Sequence, residues 1–142
     1  MTRRRSDFLA PLIGEPWSWQ ARNCWEFAAH VQRELFGRAL PSVAVPDEPK
    51  WRWMIAEIGR NPERARWREV EQGPHGLITA ADGALVLMGR FAGAGHIGVW
   101  LAAERKVIHC DRRNGVCCED VQSLKSQGWV SISFWEPNEQ AE

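Results

Sequence analysis

The 142 residues include no tyrosine, only four cysteines and only three lysines, and each scarcity narrows the field. Four cysteines, at positions 24, 110, 117 and 118, are too few and too clustered for a disulfide framework, which favours synthesis in a reducing compartment. No apolar run approaches the roughly 18 to 20 residues that a spanning helix needs, so membrane insertion is not expected. Net charge is missing too. Eighteen basic residues balance eighteen acidic ones, leaving no field to draw a polyanion, and nucleic acid is not an expected partner. Arg3, Arg4 and Arg5 precede a stretch, 8–14, that is short, broken by Pro11 and followed by no small-residue cleavage pattern. No signal peptide is read there, and the three arginines are expected to be a solvated arm.

What is present is ordinary for a folded chain: 44% apolar and 25% charged residues at the length of a single domain. Residues 1–16 read as an irregular arm punctuated by Pro11, Gly14 and Pro16. From Cys24 to Phe36, Cys24, Phe27, Ala28, Val31 and Leu35 recur at helical spacing. Asn23 is the expected N-cap, Glu26 completes a capping-box pattern, and Gly37 supplies the left-handed stop. Residues 47–71 read as one or two more helices, started by Asp47 and Asn61 and broken at Gly59, with Trp51, Trp53 and Trp67 as core or groove packing. Short β-type runs follow at 84–88, 96–101, 106–110, 116–119 and 130–135, with a helical turn at 120–127. Asn114-Gly115 predicts a two-residue hairpin turn, which pairs Arg113 with Val116 and sets His109 opposite Asp120. Helices first and an antiparallel sheet afterwards give an α+β fold in one domain spanning 1–142.

A thiol in the first turn of a helix sits where unpaired backbone N–H groups favour the thiolate, and Cys24 has that position. Taken alone, a buried structural cysteine is the blander reading. Alternation in 96–101 puts His96, Gly98 and Trp100 on one face. A four-residue loop at 102–105 pairs Leu101 with Lys106 and Gly98 with His109, which leaves His96 on the diagonal from His109, ~7–8 Å away at the backbone. A slip of one residue would separate them. Thiol, base and orienting group together are the logic of thiol hydrolases. His30 and His75 are read as ordinary surface or core histidines, and Asp120 as a helix N-cap or as a group polarising the histidine pair.

The order Gly14-Glu15-Pro16-Trp17, Asn23-Cys24-Trp25, Ala81-Asp82-Gly83-Ala84-Leu85-Val86-Leu87, Gly95-His96-Ile97-Gly98-Val99-Trp100-Leu101 and Val107-Ile108-His109 resembles the NlpC-type family of papain-like cell-wall peptidases. It is most similar to the short versions found in phage and prophage tail modules, and the likeness runs over about 11–135. The resemblance implies a papain-like fold of N-terminal helices on an antiparallel sheet of five to six strands. It also implies hydrolysis of an amide in peptidoglycan stem peptides, usually between D-glutamate and a diamino acid. Carried over, Cys24 is the nucleophile, His96 the base and His109 the group that orients it. Trp17 and Asn23 accompany them as substrate or oxyanion residues, and no metal or cofactor is required. Peptidoglycan stems and phage tail proteins are the implied partners, with a virion-associated or wall-released location after cytoplasmic synthesis. The chain departs from the family at Trp17, where a tyrosine is usual, around Trp19 and Gln20, where a Gly-Gly pair is common, and at Glu26, often glycine.

Other readings stand beside this one. His109, Cys110, Cys117 and Cys118 are candidate zinc ligands across the Asn114-Gly115 hairpin, although adjacent strand residues point to opposite sides and no C-x-x-C knuckle is present. A catalytically silent tail-assembly protein of the same fold would use the nine tryptophans at an interface. An acyltransferase would use the same thiol chemistry.

Overall fold

The structure is a computed structural model that describes residues 3–91 and 93–138; the ends of the expected 1–142 domain and the first two residues of its arm lie outside them. Helix α1 (Arg3–Leu9) runs into a 3-10 turn at Ala10–Leu12, and α2 (Cys24–Phe36) and α3 (Trp51–Arg60) follow. Strands β1 (Trp67–Val70), β2 (Leu85–Gly89), β3 (His96–Leu101), β4 (Lys106–Asp111), β5 (Gly115–Glu119) and β6 (Ser131–Pro137) form one sheet, with α4 (Val121–Ser126) between the last two. The strand order is β1-β6-β2-β3-β4-β5, and every pairing is antiparallel. This is the expected α+β architecture. No helix among the described residues is long and apolar enough to cross a membrane.

Both faces of the central strands are covered, which explains why β2, β3 and β4 read as nearly continuous apolar runs. One face carries Leu85, Leu87, Ile97, Val99, Leu101, Ile108 and Cys110 and packs on α2 through Cys24, Phe27, Ala28 and Val31. The other carries Val86, Met88, Trp100 and Val107 beneath Leu124 of α4, Trp129 and Phe134. Burying a side chain of Val, Leu or Phe size is worth ~1.5–3 kcal/mol, so two apolar layers on one sheet hold β3 firmly between them. Gln32 Nε2 donates to Gly83 O at 2.7 Å and Trp25 Nε1 to Pro41 O at 2.9 Å, fixing α2 to its surroundings by polar contacts as well.

Three expectations need correction. The arm is helical over 3–9 rather than irregular, and Arg5 is not solvated: its guanidinium pairs with Asp82 and Glu104, clamping α1 to the sheet. The segment 47–71 holds one α-helix, as the reading of one or two allows, but Gly59 lies inside it rather than breaking it. It begins at Trp51 rather than near Asp47, and after a 3-10 turn capped by Asn61 the chain becomes strand β1, because pairing Trp67–Val70 against β6 buries Trp67. The Asn114-Gly115 hairpin closes at Asp111 and Gly115, leaving residues 112–114 in a three-residue loop, with Gly115 in the left-handed region at φ 72°. The N-terminal segment imposes this: Val116 N donates to Glu15 O at 2.9 Å, and a Cβ at Gly115 would fall 2.1 Å from that same oxygen.

Candidate active site

Cys24 opens α2 on a turn that Asn23 builds. Asn23 Oδ1 accepts from Glu26 N at 2.9 Å while its Nδ2 donates to Trp19 O at 2.9 Å, so both polar atoms of this residue are committed to the chain itself. The capping box is only half made, since Glu26 turns instead to Val43 N and Ser42. The Cys24 thiol is completely buried, and the N–H groups of Ile97 and Trp25 point at its sulfur. Burial outweighs them and pushes the thiol up to about 12, so the resting sulfur is protonated. The helix terminus alone does not make a thiolate here.

Ile97 directly follows His96, so the sulfur lies against the first peptide of β3. The β3–β4 register is the expected one, with Gly98 opposite His109 and Leu101 opposite Lys106. A Cβ at Gly98 would meet Val107 Cγ1 at 2.7 Å and His109 Cβ at 3.0 Å; the missing side chain leaves the His109 ring free to lean on its neighbour. His96 Nε2 and His109 Nδ1 are 2.8 Å apart, with ring planes at 82°. His96 also stacks on Trp129, centroids 4.9 Å apart, and the Arg90 guanidinium lies over Trp129, 3.8 Å from a ring centroid.

The group that completes the site is one the sequence pattern did not single out. His109 Nε2 is 2.8 Å from Glu119 Oε2, and the other Glu119 oxygen accepts from Gln127 Nε2. The shifted hairpin sets Cys117, not Asp120, opposite His109 and puts Glu119 on the diagonal; Asp120 accepts from Ser123 N as the N-cap of α4. The signal was available, since a three-residue loop followed by a left-handed glycine is a common hairpin form, but Asn-Gly favours the two-residue reading. The hydrogen bond from His109 holds the Glu119 carboxyl below its ordinary range, so it is ionised.

Those partners fix the protons. An ionised carboxylate only accepts, so His109 donates from Nε2; with one proton on each ring, its Nδ1 then accepts and His96 donates from Nε2. His96 Nδ1 is left as a bare lone pair, buried and without a hydrogen-bond partner among the described residues. An unsatisfied buried group costs about 1–3 kcal/mol, so this one is a retained liability. Burial, the neighbouring His109 and Arg90 push the His96 imidazolium well below the usual histidine range, which keeps the ring neutral. A cavity of about 200 Å³ opens beside it, walled by Trp51, Arg90, Arg112, Arg113, Asp111 and Trp129. Larger hollows of 320 and 340 Å³ lie near Arg66 and Trp67 and beside α1, and His96 lines neither.

Trp17, half-buried, meets Trp19 edge-on at 4.7 Å, and its indole N–H is buried without an acceptor among the described residues. His30 packs edge-on against Phe8, and His75 is exposed. The four-ligand zinc set is divided by the sheet. Cys110 and Cys118 pack with the α2 layer, whereas Cys117, 3.6 Å from His109 Nε2, stands on the histidine side.

With this geometry in view, the solved structures supply a likeness: the NlpC/p60 domain of the peptidoglycan hydrolase SagA matches with a TM-score of 0.57 at 18% identity, over 95% of this chain and 97% of that one. The chain has an NlpC/p60-type fold. No protein-family model matches the sequence, and no curated protein matches it either. In the NlpC/p60-type frame of this chain, the thiol stands at the start of α2 and both histidines on adjacent central strands.

Proposed function

We propose that the protein is a cysteine hydrolase of the bacterial cell wall that cleaves an amide in peptidoglycan stem peptides. The observation that carries the reading is the ordered chain Glu119–His109–His96, ending in an unpartnered lone pair beside the strand peptide that contacts the Cys24 sulfur. The fold likeness to a domain of a peptidoglycan hydrolase supports the substrate class. In this reading Cys24 attacks the scissile carbonyl as His96 Nδ1 takes the thiol proton; the imidazolium so formed keeps Nε2–H on His109 and hands its new proton to the leaving amine. Because thiol and imidazole are both neutral at rest, the proton moves during attack, after substrate has brought the sulfur and the ring together. Water then attacks the thioester with His96 as base. The backbone N–H groups at the start of α2 and the orphaned Trp17 indole N–H are the oxyanion donors.

The finer assignment is a cysteine endopeptidase that cuts between D-glutamate and the diamino acid. Arg90, Arg112 and Arg113 around the His96 cavity suit the free carboxylates of such a stem. The resemblance to tail-module forms supports a phage or prophage tail-associated hydrolase, carried with the virion or released at the wall. Digestion of purified muropeptides followed by mass spectrometry tests this: a product with a newly freed diamino-acid amine is expected, and intact muropeptides after prolonged incubation would overturn it. The complete burial of Cys24 favours one competing reading, a silent tail-assembly protein of this fold, which predicts no turnover of any stem.

A further inference from the structure

Cys117 has no part in that chemistry, yet its thiol stands on the relay. Cys117 Sγ is 3.6 Å from His109 Nε2, Glu119 Oε2 is 2.8 Å from the same nitrogen, and the three ligand atoms all lie within 4.8 Å of one another. Around a tetrahedral zinc ion with ligand bonds of about 2.0–2.3 Å, neighbouring donor atoms stand about 3.3–3.7 Å apart. The nitrogen and sulfur already have that spacing, and the half-buried carboxylate must draw back from the nitrogen and swing toward the sulfur, closing the widest gap of the trio from at most 4.8 Å. One imidazole, one thiolate and one carboxylate suit a borderline-soft divalent ion and leave its fourth position to water. Gln127 already grips the second carboxylate oxygen, the kind of outer support that ligating carboxylates use. Cys117 and Glu119 are half-buried rather than sealed, so an ion can enter from solvent while His109 forms the floor.

We propose that His109, Cys117 and Glu119 form a zinc site that switches the His96 base off. The switch follows from counting protons, and its effect on turnover rests on the hydrolase reading above. Zinc takes the Nε2 lone pair of His109 and displaces the proton held there, while Cys117 releases its thiol proton to solvent. His109, which has lost its ring proton to the metal, receives another on Nδ1 across the 2.8 Å bond from His96 Nε2. His96 then accepts at Nε2 and, to stay neutral, takes on Nδ1 the proton that zinc displaced, by way of solvent. Each ring ends with one proton, and the net release is the single thiol proton. The nitrogen that must accept the Cys24 proton now bears a hydrogen, and a doubly protonated His96 would set N–H against N–H.

Two readouts need no substrate. Titration with Co(II) is expected to give a thiolate-to-metal absorption band at one equivalent in wild type and in Cys24→Ala, abolished in Cys117→Ser and in Cys117→Ala. Nitrogen-15 NMR of the ring nitrogens is expected to show Nε2–H tautomers of His96 and His109 without metal and Nδ1–H tautomers with one equivalent of zinc. A band that survives in both Cys117 variants but vanishes in Cys24→Ala, or unchanged tautomers in zinc-loaded protein, would overturn the proposal. In muropeptide hydrolysis, zinc is expected to inhibit wild type at least ten-fold, reversibly with chelator, and to leave Cys117→Ser active; equal inhibition of both would overturn the switch. A metal-free wild type that cuts nothing while the band and the tautomer change persist would remove the hydrolase reading and leave the site standing.

Discussion

A carboxylate without a proton has nothing to donate, and from Glu119 that fact propagates along two rings to His96 Nδ1, the nitrogen proposed to receive a proton from Cys24. Replacing Glu119 by Gln keeps the shape but offers His109 either an oxygen or an N–H, so the proton order is no longer enforced. The expected result is a loss in kcat of ~10–100-fold with little change in KM, because the residue stays off the substrate; general acid–base contributions of about 10²–10⁴-fold set the scale. A loss confined to KM would place Glu119 in binding instead. The thiol has its own signature. With its titration pushed up to about 12 by burial, Cys24 alkylation by a small neutral reagent in resting protein should still be climbing above about pH 10, where an ordinary thiol with a pKa of about 8.5 has levelled off. A plateau below pH 7 would reveal a preformed thiolate and contradict the neutral resting pair.

At the scale of elements, the site depends on two hairpins that differ in how plainly their residues announce them. Residues 102–105 make the four-residue connection on which the expected register was conditional, so alternation together with that loop length made the meeting of His96 and His109 legible in the sequence, as were α2 and its Asn23 cap. The β4–β5 hairpin was not. Its register depends on Glu15 and Gly14 pressing against Gly115 from a segment a hundred residues away, and no local pattern carries that information. Glu119 went unread for the same reason, and Asp120 took its place on paper. Likewise β1 was hidden by helix-compatible residues that only the partner strand β6 converts to strand. Gly98 offers a direct test of how β3 serves the site. Gly98→Ala places a methyl 2.7 Å from Val107 Cγ1 and 3.0 Å from the carbonyl of Ile108, and such overpacking costs ~1–3 kcal/mol. Urea unfolding should show that loss, with activity falling further than stability because His109 is displaced; a variant as stable and active as wild type would contradict the close approach.

Across the whole molecule, zero net charge hides a local asymmetry. Arg90, Arg112 and Arg113 crowd one cavity beside His96, with Asp111 the single acid among the described residues on its wall. Substrates bearing free carboxylates should be held there, and exposed charge of this kind is screened by salt. Arg112→Ala is therefore expected to raise KM several-fold for acidic stems, with kcat nearly unchanged and a weaker dependence on ionic strength, readable from initial rates at two salt concentrations. Unaltered KM and salt dependence would move the binding groove elsewhere. Two buried layers on one sheet make the scaffold rigid, while the closed position of Cys24 means that, in the proposed reaction, the start of α2 and the start of β3 must part to admit substrate to the thiol. The decisive measurement is rapid acid quenching of the protein with excess muropeptide, followed by mass spectrometry of the cysteine-containing peptides. An acyl adduct on Cys24 alone, absent in His96→Ala, is the predicted result; turnover with no adduct on Cys24, or turnover that survives Cys24→Ala, would contradict the account.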